Sequence, residues 1–232
     1  MRWFVFLYGL LTYLLAIRSL VYFVLFASNV PWVKTVDSGP TTTWAAALAI
    51  DVALLLLFTL PHSLLARERF TLAVQRYLPG AAVRSSYVLI AALTLSFLMW
   101  QWCPIDIVVW ETWHPLARPL LIGLSVAGWI LSAVAYYSIG HLQLLGLRQA
   151  LDYLRGEPER SPRLVTNGVY RYLRNPMYLG FALGMWSTPQ MSVGRLLLST
   201  GMTLYVLIGL RYERRDLLTR FGQQYQDYLR AR

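Results

Sequence analysis

The segment Asn167-Gly-Val-Tyr-Arg-Tyr-Leu-Arg-Asn-Pro-Met-Tyr-Leu-Gly180 is the densest run of chemically capable side chains in the chain. Asn167-Gly168 is a turn signal, and Pro176 suits the first position of a helix, where a missing N–H is no loss. A helix beginning there presents unpaired N–H groups and the positive end of its dipole, which favours a carboxylate or another anion. Arg171 and Arg174 add guanidinium forks that can hold a carboxylate through two parallel bonds. Tyr170, Tyr172 and Tyr178 add stacking faces and hydroxyls. Such a site suits the carboxylate and adenine of a nucleoside amino acid. The same residue types also describe an Arg/Tyr anchor at a membrane interface, and from the residues alone both readings stand.

His62 and His141 each sit where a long apolar run meets an arginine-bearing stretch. An imidazole titrates near neutral pH and can accept a proton from a bound acceptor. The alternative for each is an interfacial histidine bonded to a backbone carbonyl. His114 lies in a different stretch and is given no role. Cys103 is the only cysteine, which excludes an intramolecular disulfide and a cysteine metal cluster. With three histidines besides, no metal site is expected. Dinucleotide and P-loop glycine motifs, H-E-x-x-H and G-x-S-x-G are all missing.

The elements that must position these residues are set by composition. Of the 232 residues, 57% are hydrophobic and only 14% are charged, whereas a soluble domain carries about 25% charge. A lipid-facing surface accounts for the deficit. The net charge of +10 sits mostly in short stretches between apolar runs, a placement that fits topology signals and anionic headgroups better than nucleic acid. A helix crossing the hydrocarbon core needs ~20 mostly apolar residues. The runs 3–26 (with Arg18 inside), 44–60 (with Asp51 inside), 85–105 and 119–140 meet that need. The first of these reads as a span and not as a cleaved signal. The runs 175–194 and 196–210 flank Pro189, Gly194 and Arg195, so 176–210 reads as a helical hairpin. A charge inside a span should be paired or face a cavity; Asp51 with Arg18 is read as an ion pair between the first two spans, with a polar wall of the pocket as the alternative.

The stretches 61–84, 141–175 and 211–232 are arginine-rich, whereas 27–43 and 104–118 have one basic residue each. The positive-inside rule therefore makes the three arginine-rich stretches, and both termini, cytoplasmic. The expected architecture is an all-α integral membrane protein of about five transmembrane segments, four spans plus the C-terminal hairpin, with the site on the cytoplasmic face. Residues 1–140 form the N-terminal bundle. Residues 141–232 form the linker, the hairpin and a short amphipathic helix over 217–229. Oligomeric state is not readable.

The order Gly168-Val-Tyr170, Arg174-Asn-Pro176-Met-Tyr178-Leu-Gly180, Glu213 and Phe221-Gly222-Gln-Gln-Tyr225-Gln-Asp-Tyr228 resembles the membrane methyltransferases typified by isoprenylcysteine carboxyl and phospholipid methyltransferases. Arg214 stands where that family usually has a second acidic residue, so any acidic-pair role falls on Glu213. The front half contributes Pro61-His62-Ser63, Arg84-Ser85-Ser86-Tyr87, Trp100-Gln101-Trp102 and His141-Leu-Gln143-Leu-Leu-Gly146-Leu147-Arg148. These resemble the NnrU-like branch, and within it the bacterial methanethiol S-methyltransferases. Pro61, Gly140 and Gln143 depart from the Gln, Asn and acidic residue usual there.

The resemblance implies S-adenosylmethionine (SAM) as cofactor, a small thiol as substrate and residence in a bacterial inner membrane. It assigns Tyr170, Arg171, Arg174, Asn175, Pro176, Tyr178, Glu213 and Arg148 to the cofactor. His62, His141 and Arg67 fall to the catalytic end. Transfer of a methyl group to sulfur is chiefly a matter of holding the sulfur ~3–3.5 Å from the methyl carbon, with thiolate as nucleophile. A larger thiol, a carboxylate or a phospholipid amine are alternative acceptors, and a non-catalytic NnrU-like membrane protein is the alternative outside enzymes.

Overall fold

A computed structural model describes residues 1–67, 72–158 and 163–230. Helix α1 is Arg2–Ala27, α2 is Trp44–Leu65, α3 is Gly80–Gln101 and α4 is Ala117–Ile139. Two short helices follow, α5 His141–Leu144 and α6 Leu147–Arg155, then a 3-10 turn at Gly168–Arg171. The hairpin is α7 Pro176–Trp186 and α8 Val193–Arg230. Five of these helices, α1 to α4 and α8, are long and apolar enough to cross a membrane. They expose Leu7, Leu11, Leu57, Leu93, Leu120 and Leu207. Such side chains facing outward along whole helices suit hydrocarbon as the solvent, where each helix satisfies its own backbone. The chain is a multi-pass membrane protein.

Helix α3 packs along both α1 and α2, while α4 packs along α7, and α8 along α2. The main core lies towards one end, where Phe23, Phe26, Leu54, Phe58, Leu98, Trp102, Leu198 and Met202 pack together. The α4–α7 contact is closer than side chains allow: a Cβ on Gly180 would lie 2.4 Å from the Gly128 carbonyl oxygen. Ser125 and Ser132 of α4 donate to the carbonyls of Gly184 and Met177 at 2.8 and 2.9 Å. Small residues on both helices permit this approach, as between many membrane helices.

The loops at the core end are tied together. Strand β1, Val108–Glu111, pairs antiparallel with β2, Gln190–Ser192, opposing Trp110 to Met191. This pair is a small exception to the helical expectation. The hairpin turn thus reaches the same end as the loop between α3 and α4. Helix α7 has 11 residues and is ~16 Å long, so its N-terminus lies well inside the far rim.

Two sequence expectations change. Asp51 does not pair with Arg18. Its Oδ1 accepts the Cys103 backbone N–H at 2.9 Å, while Arg18 is exposed. Helix α3, packed along both α1 and α2, brings its own C-terminal turn to Asp51. Lys34 reinforces that turn by donating to the carbonyls of Trp100 and Trp102. Burial and the Asp51 carboxylate push the Cys103 thiol up, so it stays protonated. The tail helix also begins later than residue 217: Gly222 is non-helical (φ 48°, ψ −118°) and divides α8 into the long helix from the hairpin and a short tail helix that ends at Arg230. A Cβ would be strained there, and the bend turns the last residues over the end of the bundle.

Candidate functional site

At the end opposite the sheet, a cavity of about 130 Å³ opens between the 3-10 turn, the start of α7 and the second half of α8. Its lining includes Val165, Tyr170, Arg174, Asn175, Tyr178, Glu213, Tyr225 and Tyr228. Local sequence explains each position. Gly168, at φ 58°, turns the chain into the 3-10 turn and buries Tyr170. Pro176, also buried, starts α7 with no side-chain cap from Asn175, which leaves the first N–H groups of the helix uncommitted to capping.

Across the cavity, Tyr178 donates to Glu213 Oε2 at 2.7 Å, the short length of a bond to a carboxylate. Arg174 spends one donor on the Leu229 carbonyl at 3.1 Å, out of five on a guanidinium. The Tyr228 hydroxyl donates to the Tyr170 carbonyl at 2.8 Å, pinning the tail beyond Gly222 over the turn. Tyr225 and Tyr228 stack at 6.2 Å between ring centroids. Burial and the nearby Glu213 carboxylate push the Tyr170 phenol up, so it remains a neutral donor. The donor set is therefore a guanidinium and a helix N-terminus on one wall, a carboxylate on the other, and tyrosine faces around them. That set suits an α-amino acid zwitterion joined to an aromatic base.

Outside the cavity lining, three rings converge around His62. Its Nε2 meets the Tyr87 hydroxyl at 3.0 Å, and Phe58, Tyr87 and Tyr205 lie 5.2 to 5.7 Å from its ring centroid. Arg84 lies over Tyr87 at 4.9 Å and donates to the Leu144 carbonyl. His141 occupies a second cluster, with Nδ1 2.9 Å from the Tyr13 hydroxyl and its ring 4.4 Å from Tyr137. Tyr205 also lies 6.2 Å from Phe58 between ring centroids.

Of the residues singled out from sequence, Tyr170, Arg174, Asn175, Tyr178 and Glu213 line one cavity, and Pro176 starts the helix behind them. Arg171 is exposed and does not line it, because the turn that buries Tyr170 directs the next side chain away. Arg148 is held on α6 by Asp152 at 3.1 Å, a pairing set by their i,i+4 spacing. Arg67 lies over the Tyr212 ring at 5.3 Å, next to Glu213 in the chain. Tyr205 was not singled out. A lone tyrosine inside the apolar run 196–210 was the available signal.

A model of the phospholipid methyltransferase family matches residues 121–224, which include the cavity residues from Val165 to Glu213 and stop just short of Tyr225 and Tyr228. Methanethiol S-methyltransferase 1 of Bradyrhizobium diazoefficiens is 37% identical over 96% of this chain and 78% of its own length. Methanethiol S-methyltransferase of Pseudomonas deceptionensis is 40% identical over 96% of this chain and 85% of its own. The Mycobacterium tuberculosis protein of that name is 35% identical over 99% and 94%. No solved structure matches the chain.

Proposed function

Because the chain belongs to the family of methanethiol S-methyltransferases, we propose that this membrane methyltransferase carries a methyl group from SAM to methanethiol, releasing dimethyl sulfide. One observation carries the cofactor assignment: a guanidinium and a helix N-terminus stand opposite a carboxylate in a single tyrosine-walled cavity. When bound, SAM supplies a methyl group on a positive sulfonium, which passes to a thiolate and leaves S-adenosylhomocysteine.

The chain's own residues then have separable tasks. Arg174 and the first N–H groups of α7 bind the carboxylate of the donor. Glu213, oriented by Tyr178, holds its ammonium, and Tyr225 and Tyr228 stack against its base. His62 accepts the thiol proton at Nδ1, which has no hydrogen-bond partner among the described residues, while Tyr87 holds Nε2. Arg67 closes the site from the rim. His141 braces α1 against α4 through Tyr13. Residues 141–232 form the cofactor site, and residues 1–140 form the scaffold and contribute His62 and Arg67. The arginine-rich stretches gather at the cavity end, which by the positive-inside rule supports a cytoplasmic site and cytoplasmic termini in a bacterial inner membrane. A small apolar thiol partitions into the bilayer, so a site at that depth meets it there.

The test is headspace detection of dimethyl sulfide from the purified protein in detergent with SAM and methanethiol, beside Arg174→Ala. Product from the wild type and at least tenfold less from Arg174→Ala supports the reading. SAM binding without product moves the acceptor to larger thiols or lipids, and no SAM binding overturns it.

A further inference from the structure

Helix α8 leaves the sheet end at Val193, directly after β2. Arg211 stands 18 residues further on, about 27 Å along a helix that rises ~1.5 Å per residue. That length is close to the ~30 Å of a hydrocarbon core, so Arg211 stands at headgroup depth on the cavity side. At about 100° per residue, Leu204, Leu207, Ile208, Arg211 and Arg215 fall on one face of α8, and all five are exposed. Glu213, two residues from each arginine, falls on the opposite face and lines the cavity. The outer face therefore runs from an apolar stripe straight into two guanidinium groups. Arg67, just past the end of α2, lies over the Tyr212 ring at 5.3 Å and brings a third cation to the same level. Among the described residues, neither Arg211 nor Arg215 has a carboxylate within ion-pair distance. The nearby Asp216 is exposed and has Arg220 four residues on. Like charges at i,i+4 repel. An anion between them removes that repulsion, and guanidinium forks hold a phosphate through paired bonds.

We propose that this face binds an anionic phospholipid, with its phosphate between Arg211 and Arg215 and an acyl chain along Leu204, Leu207 and Ile208. The site lies outside the donor cavity and stands on membrane residence alone, whichever reaction the cavity serves. A free phosphate would meet only the guanidinium half of the face. A phosphatidylcholine would bring its choline cation against three arginines. A lipid of net negative headgroup, such as phosphatidylglycerol, satisfies both halves. Each basic residue at a headgroup is worth about fivefold in affinity, so loss of two should weaken binding roughly 30-fold.

The experiment titrates the purified full-length protein in neutral detergent with phosphatidylglycerol, or with phosphatidylcholine of the same acyl chains, and reads bound lipid by native mass spectrometry. The wild type should bind phosphatidylglycerol at least ~10-fold more tightly. Arg211→Gln with Arg215→Gln should lose roughly 30-fold in phosphatidylglycerol affinity and keep phosphatidylcholine affinity within about threefold. Arg155→Gln with Arg230→Gln removes the same charge from exposed positions elsewhere and should keep the preference within about threefold. The thermal transition of each protein checks that it is folded. Should the Arg211, Arg215 double variant not fold, Arg215→Gln alone is read against a loss of about fivefold. A wild type with no preference between the two lipids overturns the site. So does an equal loss in both double variants, which would make the attraction one of diffuse charge. Inorganic phosphate that displaces phosphatidylglycerol at equal concentration overturns the lipid as occupant.

Discussion

Replacing Gly180 by alanine tests whether the α4–α7 contact sets the site. The new Cβ would lie 2.4 Å from the Gly128 carbonyl oxygen, 2.6 Å from the Ser132 nitrogen and 2.7 Å from Ser132 Oγ, where ordinary contact begins near 3.4 Å. The first two are backbone atoms, so no rotamer change relieves them and the helices must part by about 1 Å. Overpacking of this kind costs ~1–3 kcal/mol, against which alanine regains about 1 kcal/mol as the better helix former. The clash wins, and unfolding in detergent should occur at lower temperature. The larger effect is on position, because Tyr178 and the first turn of α7 move with Gly180. A displacement of ~1 Å in a positioning element can lower the rate ~100-fold. The expected outcome is a fall of about 10- to 100-fold in kcat/KM, with weaker SAM binding by calorimetry. Gly123→Ala on α4 and Gly209→Ala on α8 meet no atom within 4 Å and should leave both quantities unchanged. A Gly180→Ala protein that binds SAM as the wild type does would refute the reasoning.

Three further outcomes are expected. Tyr178→Phe removes the 2.7 Å bond to Glu213; a bond to a charged group is worth ~1.5–3 kcal/mol, so the dissociation constant for SAM should rise roughly 10- to 100-fold by calorimetry. His62→Ala should lower kcat for methanethiol by ~10²–10⁴-fold with SAM affinity kept, and His141→Ala by less than tenfold; the reverse order would transfer the proton acceptor to His141. Asp51→Ala leaves the Cys103 N–H and Lys34 without their carboxylate, which should destabilise the fold by about 1–3 kcal/mol. That loss is read as an earlier thermal transition, with kcat per folded molecule unchanged.

The spans were legible because hydrocarbon imposes one requirement, a long apolar run, that any sequence displays openly. The hairpin was legible for a related reason: Pro189, Gly194 and Arg195 interrupt such a run where the chain must reverse. The cavity wall formed by Tyr170, Arg174, Asn175 and Tyr178 was legible because it is contiguous in sequence. Which helices touch was not. Asp51 found a backbone N–H, a partner with no side-chain identity to read, and only the placement of α3 could disclose it. Arg171 and Arg174 looked equivalent until the 3-10 turn separated their directions. Tyr205 is one hydroxyl in an apolar run, and its place beside His62 depends on four rings drawn from three helices. The Arg148–Asp152 pair, by contrast, was available from i,i+4 spacing and competed with a role at the cofactor.

The pairing of β1 with β2 also bears on how the protein is made. Val108 and its partner Ser192 are 84 positions apart, so a ribosome delivers β1 long before the strand that completes it. Until then the α3–α4 loop holds an unpaired strand edge, and α4 lacks the helix whose glycines fit its own. The sheet closes only after α7 and the turn that follows it have been made. Strand pairing is therefore a late step in biogenesis: it fastens one end of the bundle once the hairpin that forms the cavity at the other end is present.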